Sequence, residues 1–162
     1  GIATILANGC DLGFCSDDTV VGWPAVPLGG GMIGATWAHY VSAHRAKEYS
    51  YTVGARLSGT EAAALGFANR AVPPGALDEH VSRTAGHIAR LSRDLLRLKK
   101  AAVNSVQSRQ GFEETVRLSA AWDALAHETD IVVETRARIA REGLKPVLAD
   151  WRIASPGSAG VA

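Results

Sequence analysis

Apolar residues recur every three or four positions over most of the second half of the chain. This period predicts amphipathic helices over residues 76–91, 93–108 and 112–141, and a last short helix over 145–151. The stripes of the first two helices consist of Leu77, Val81, Ala85 and Ile88, and of Leu95, Leu98, Ala102 and Val106. Residues 153–162 are rich in serine, glycine and alanine, which predicts a disordered tail.

The first half of the chain has shorter and less regular segments. Residues 20–26 are apolar and β-branched, and they predict a strand. A glycine-rich loop follows over 27–34, and a helix is predicted over 35–51. Residues 67–72 predict a further short strand that ends before Pro73.

A helix start is encoded locally after residue 57. Ser58 precedes Glu61 by three positions, which is the spacing of a capping box, in which each residue satisfies a backbone N–H of the other. The helix is predicted to end at Gly66, since glycine readily adopts the left-handed conformation that closes a helix.

Composition is that of an ordinary globular domain, with 162 residues, 47% hydrophobic residues and 20% charged residues. A net charge of +1 gives no reason to expect nucleic acid or an acidic membrane surface as a partner. No apolar run reaches the length of a membrane span, and no signal peptide is recognisable. Cys10 and Cys15 match no metal or redox motif, so we expect reduced thiols and a cytoplasmic protein.

Residues 1–31 contain seven glycines and neither lysine nor arginine. Such a stretch is typical of closely packed backbone that another chain or a ligand approaches. The glycines of the 27–34 loop could offer free N–H groups to a carbonyl or a phosphate, although a plain turn would have the same composition. The loop has no GxGxxG or P-loop pattern, so it is only a weak nucleotide signal.

One run of residues is distinctive. The sequence GARLSGTEAAALGFANRAVP (54–73), preceded by CDL (10–12) and VGWP (21–24), resembles the crotonase family of enoyl-CoA hydratases and isomerases. The likeness covers residues 1–151 and matches only the second half of a family member. It implies an α/β, crotonase-like (ClpP/crotonase) spiral, truncated at its N-terminus, with core residues 1–75 and a helical trimerisation region at 76–152.

The resemblance also implies a site. Family members bind acyl-CoA thioesters and stabilise an enolate with two backbone N–H groups, one of which matches that of Ile2. Ile5 and Ala25 stand where hydratases have the two glutamates that move protons, so ordinary hydration is disfavoured. Trp23 is expected either to form a wall of the acyl pocket or to be a core aromatic. CoA is implied only as part of the substrate, with no separate cofactor and no metal.

Another group would have to move the proton. His39 and Tyr40, just after the glycine-rich loop, could act as acid or base, or they could simply lie on or cap a helix surface. Lys99 and Lys100 could pair with CoA phosphates or belong to a solvated helix face. Asp11 is expected to be a structural carboxylate.

Two function classes therefore stand. The first is a crotonase-like protein that acts on an acyl-CoA through enolate stabilisation as an isomerase, a lyase or another non-hydratase. The second is a non-catalytic fragment or pseudoenzyme subunit that only assembles with partner chains. By the resemblance, the protein forms a homotrimer or a dimer of trimers, and an N-terminal half lies on the same chain or on another.

Overall fold

A computed structural model describes residues 2–22, 28 and 32–151. Its α-helices are α1 (Ile2–Asn8), α2 (Met32–Trp37), α3 (Ala43–Tyr51), α4 (Gly59–Ala64), α5 (Leu77–Ile88), α6 (Arg93–Arg109), α7 (Phe112–His127), α8 (Asp130–Glu142) and α9 (Leu144–Ala149). Its strands are β1 (Phe14–Ser16), β2 (Val20–Gly22), β3 (Arg56–Ser58) and β4 (Arg70–Val72), and a 3-10 turn spans Pro74–Ala76.

The four strands form two small sheets. β1 pairs with β4 in parallel, and β2 pairs with β3 in antiparallel orientation. Parallel strands need a long crossover, and the segment from β2 to α4 supplies it. Asn69 extends the first sheet by one step, because its side-chain Oδ1 accepts from the N–H of Gly13 and its own N–H donates to the Gly13 carbonyl, both at 2.7 Å.

The hydrophobic core lies between the second sheet and helices α2, α3 and α4. Trp37 is 2% exposed and meets the ring of Phe67 at a centroid distance of 4.9 Å. The other buried members of this cluster are Val41, Ala46, Leu57 and Ala62. The distinctive 54–73 run therefore forms a large part of the core, since Leu57 and Ala62 are buried in it and Phe67 packs against it.

The capping box at the start of α4 is confirmed. The Ser58 side chain accepts from the N–H of Glu61 at 3.2 Å, and Glu61 Oε2 accepts from the N–H of Ser58 at 2.7 Å. Gly66 adopts a φ of +86° after the helix, and the N–H of Phe67 donates to the Ala62 carbonyl. This pairing is a Schellman motif, so the predicted helix end at Gly66 is also confirmed.

Two predicted elements of the first half differ in the structure. The helix predicted over 35–51 is two helices, because α2 already begins at Met32 and ends at Trp37, and Ser42 caps α3 through the N–H of Arg45. The loop predicted over 27–34 is therefore wrong at its C-terminal end, because α2 already begins at Met32. The strand predicted over 20–26 is seen as β2 up to Gly22, and the rest lies outside the described residues.

The helix predicted over 112–141 is also two helices, α7 and α8. Thr129 interrupts it with an extended backbone, at φ −72° and ψ 140°, and its hydroxyl donates to the Ala126 carbonyl at 2.7 Å. This local bond satisfies an end carbonyl of α7, so the chain turns instead of continuing. The predicted tail at 153–162 lies outside the described residues.

The helical second half leaves much apolar surface open. Within the described part of the chain, neither α5 nor α6 contains a buried residue, whereas Val132 in α8 and Val147 in α9 are buried. None of the helices described is long and apolar enough to cross a bilayer.

Candidate active site

Helix α1 carries two of the predicted site residues, Ile2 and Ile5. Its inner side is polar, with Thr4 and Asn8 buried one turn apart, whereas Leu6 on the outer side is 66% exposed. Ile2 is the first residue of the helix, and the first N–H groups of a helix have no acceptor within it. The helix therefore presents backbone donors at the Ile2 end and is fixed along its polar side.

Tyr40 contacts the opposite end of α1. Its hydroxyl donates a hydrogen bond to the carbonyl oxygen of Asn8, and its ring meets Phe112 edge to face at 6.4 Å between centroids. Burial, with a smaller effect of nearby Cys10, raises the pKa of the Tyr40 phenol. A tyrosine hydroxyl is in any case protonated at neutral pH, so it acts as a donor to α1.

His39 contacts α7. Its Nε2 lies 2.9 Å from Thr115 Oγ1, and its ring meets Phe112 edge to face at 5.2 Å between centroids. His39 and Tyr40 therefore lie in the turn after α2, between α1 on one side and the first turns of α7 on the other.

The structure does not bring Tyr40 to Ile2. The seven residues of α1 span about 9 Å along the helix axis, and the Tyr40 hydroxyl binds at the Asn8 end. Trp23 and Ala25 lie outside the described residues, and for Ile5 the description covers only its place in α1. Of the predicted site residues, the structure thus relates Tyr40 to α1 and His39 to α7.

Asp11 and Lys100 form an ion pair between the loop after α1 and helix α6, with Nζ and Oδ2 2.6 Å apart. Both side chains are more than half exposed, so the pair adds little stability. Lys100 is nevertheless a partner for the Asp11 carboxylate, which we expected to be structural. Among the described residues no group of three His, Cys, Asp or Glu side chains is arranged to hold a metal ion.

A shallow apolar groove of about 420 Å³ lies elsewhere, between β1 and α5. The residues that line it are Leu12, Phe14, Leu77, Asp78, Val81 and Ser82. Of the predicted site residues whose side chains the structure describes, neither His39 nor Tyr40 lines it, so it is a surface feature separate from these two.

The buried polar contacts of α1 were missed by sequence reasoning. Asn8 Nδ2 donates to Thr36 Oγ1 at 3.5 Å, so the side chain and the carbonyl of Asn8 both bind the α2 region. The spacing of Thr4 and Asn8 is one helical turn, and a helix predicted over 2–8 would have placed both on one face. That segment is too short and mixed for its period to be recognised.

No protein-family model matches the sequence, but comparison with known proteins finds chains of similar sequence and structure. A protein assigned as an enoyl-CoA hydratase in Thermus thermophilus is 30% identical over 126 residues, which is 76% of this chain and 49% of that protein. A crystal structure assigned as an enoyl-CoA hydratase/isomerase from Novosphingobium aromaticivorans superposes with a TM-score of 0.90 at 32% identity, covering 96% of this chain and 57% of that one. For an enoyl-CoA hydratase from Mycobacterium smegmatis the TM-score is 0.81 at 26% identity, with coverages of 88% and 49%. The chain spans about half the length of these relatives.

Proposed function

The chain belongs, over the part of the fold that it spans, to the crotonase superfamily of enoyl-CoA hydratases and isomerases, and we propose that it binds an acyl-CoA thioester and stabilises its enolate. The α/β crotonase-like fold predicted from the 54–73 run is thereby confirmed. The observation that carries the proposal is the match over 96% of the chain to a protein assigned as an enoyl-CoA hydratase/isomerase.

In this proposal the backbone N–H of Ile2 donates to the thioester oxygen. A preformed donor helps catalysis because it meets negative charge only as that charge develops on the oxygen, and removing one such donor typically costs about 10²–10³-fold in rate. The second donor would come from the part of the fold that this chain does not span. Ile5, Trp23 and Ala25 would surround the acyl group.

The proposed chemistry is not hydration. By the resemblance, Ile5 and Ala25 occupy the positions of the two hydratase glutamates, and a hydrocarbon side chain cannot accept or donate a proton. Loss of a general acid or base costs about 10²–10⁴-fold. An isomerase, a lyase or another reaction that passes through an enolate remains compatible with these residues.

The group that moves the proton is unassigned, and His39 and Tyr40 stay predictions for that role. Both already bind within the protein, His39 to Thr115 and Tyr40 to Asn8. A His39→Gln variant tests the imidazole, since it keeps a polar side chain but cannot take up a proton near neutral pH. A fall in turnover at unchanged acyl-CoA affinity is expected if the imidazole moves the proton.

A second candidate function is assembly without catalysis. It is favoured by the apolar surface of α6 and α7, where Leu98 is 68% exposed and Trp122 is 61% exposed. Patches of this kind are typical of surfaces that bind other protein chains. We propose that this surface builds a homotrimer or a dimer of trimers, which is compatible with either function.

Calorimetry and isotope exchange separate the two candidates. The protein as its gene encodes it is titrated with CoA and with butyryl-CoA, and butyryl-CoA is then incubated with it in deuterated water. Enolate formation exchanges the proton on the carbon next to the thioester, and mass spectrometry detects the added deuterium. Binding with exchange supports the enolate proposal, binding without exchange supports a non-catalytic subunit, and no binding contradicts the acyl-CoA proposal.

Crotonyl-CoA tests the absence of hydration. Loss of the enoyl absorbance at a rate near that of an ordinary hydratase would contradict the argument from Ile5 and Ala25. The expected rate is at least about 10²-fold lower, from the loss of a general acid or base.

A further inference from the structure

Two hydrogen bonds hold the Asn8 end of α1. The Asn8 carbonyl accepts from the Tyr40 hydroxyl, and the Asn8 side-chain amide donates to Thr36. Both partners belong to α2 and the turn that follows it. Asn8 is 6% exposed, and both contacts are partly shielded from water.

Helix α7 fixes Tyr40 in turn. The Phe112 ring lies against Tyr40 at an interplanar angle of 88° and against the neighbouring His39 at 73°. His39 is further bound to Thr115, one turn along the same helix. A continuous set of contacts therefore runs from the first turns of α7, through the turn after α2, to the end of α1.

We propose that Tyr40 is a positioning residue, which sets the orientation of α1 and thereby the direction of the Ile2 N–H. This inference rests on the proposed function, in which that N–H is an oxyanion donor. A helix of about 9 Å moves as a unit, so a tilt of roughly 6° at the Asn8 end displaces the other end by about 1 Å. Displacements of that size can cost about 10²-fold in rate.

This positioning role is an alternative to proton transfer by Tyr40. The Tyr40 hydroxyl lies at the opposite end of α1 from Ile2 and already donates to a carbonyl, so its effect on the reaction passes through the helix. A tyrosine hydroxyl is protonated at neutral pH, so this donor is present under ordinary conditions.

Tyr40→Phe tests the proposal because it keeps the ring against Phe112 and removes only the hydroxyl. The matched control is Tyr51→Phe, which removes a hydroxyl from a side chain that is 73% exposed at the end of α3. Amide hydrogen exchange is measured on both variants. We expect Tyr40→Phe to raise the exchange of residues 6–8, whose N–H groups bond within α1, at least about fivefold, since the opening of a short helix is governed by its tertiary contacts. Exchange in the core around Leu57 should stay unchanged.

Kinetics supply the second readout. For deuterium exchange into butyryl-CoA, Tyr40→Phe should lower kcat by about tenfold and leave the Kd for butyryl-CoA within twofold, because only the alignment of the donor changes. Val132→Ala, in α8 and remote from α1, serves as the control for lost stability. It should lower Tm without lowering kcat.

The outcomes are distinguishable. If the wild-type protein exchanges deuterium and the kcat of Tyr40→Phe lies within twofold of the wild-type kcat, the positioning role alone is overturned. A Val132→Ala variant that loses kcat in proportion to Tm, as Tyr40→Phe does, would also overturn it, since both losses would then reflect stability. A wild-type protein that exchanges no deuterium would overturn the proposed function and the positioning role with it.

Discussion

At the scale of single residues, Gly59 has the least room for a side chain among the glycines described. A Cβ built there would lie 1.9 Å from the carbonyl oxygen of Ser16 and 3.1 Å from the Cα of Asp17. The N–H of Gly59 also donates to the Asp17 carbonyl at 3.1 Å. The start of α4 therefore lies in close contact with the end of β1, and only a residue without a side chain fits there.

Gly59→Ala should destabilise the protein by about 1–3 kcal/mol or more, because the neighbouring backbone must shift to admit the methyl group. Gly86→Ala is the matched control, since Gly86 lies within α5 and a Cβ there meets no atom within 4 Å. That variant should gain up to about 1 kcal/mol from helix propensity. Urea unfolding measures both changes, and equal stabilities for the two variants would contradict this account of Gly59.

The capping carboxylate predicts a pH dependence. Hydrogen bonds from the Ser58 backbone and then from its hydroxyl hold the pKa of Glu61 below its ordinary value of 4.5. A carboxyl group with a lowered folded-state pKa stabilises the fold above its unfolded pKa, and the effect is lost as pH falls through the folded value. The difference in Tm between wild type and Glu61→Gln should thus be largest near neutral pH and shrink below 4.5. A difference that stays constant over this range would contradict the role of the charge.

At the scale of elements, the sequence predicts those helices and helix ends that depend on residues close together in the chain. Helix α6 and the ends of α4 follow from the apolar period and from the capping residues alone. The strands β1 and β3 have three residues each, too few for an alternating pattern to show. The interruption at Thr129 is decided by competing hydrogen bonds, and the contact of Tyr40 with Asn8 by packing between distant segments. These features could not be read from local sequence.

Asn69 joins β4 to the residue before β1, and its removal tests how far that sheet depends on one side chain. Asn69→Ala leaves the Gly13 N–H without its acceptor and should cost about 1 kcal/mol, with faster amide exchange at Gly13. Asn69→Asp keeps an acceptor at the same place, so it should retain most of the stability. Equal stability losses in the two variants would show that the Oδ1 contact is unimportant.

At the scale of the whole molecule, the chain combines a small core with a helical half that leaves apolar side chains in contact with water. Leu95, Leu98 and Val106 lie on one side of α6 and are 47%, 68% and 52% exposed. The relatives are about twice as long as this chain, so such surfaces can be covered by other parts of the fold or by other chains.

Leu98→Glu tests the proposed assembly. A carboxylate in the middle of the apolar side of α6 should weaken self-association at least about tenfold, because burying an unpaired charge in an interface is costly. Asn104→Glu adds the same charge on the opposite side of α6 and should leave association unchanged. Sedimentation velocity over a range of concentrations measures both, and a common oligomeric state for all three proteins would contradict this interface.

We propose that this part of a crotonase fold, with Ile5 and Ala25 at the positions that the resemblance assigns to the hydratase glutamates, still stabilises an enolate. Proton NMR of butyryl-CoA in deuterated water tests it most directly, through the signal of the hydrogens next to the thioester carbonyl. We expect this signal to decay faster with the encoded protein than in buffer, while crotonyl-CoA in a parallel sample stays unhydrated. A signal that persists as long as in buffer, at protein concentrations that bind the thioester, would contradict it.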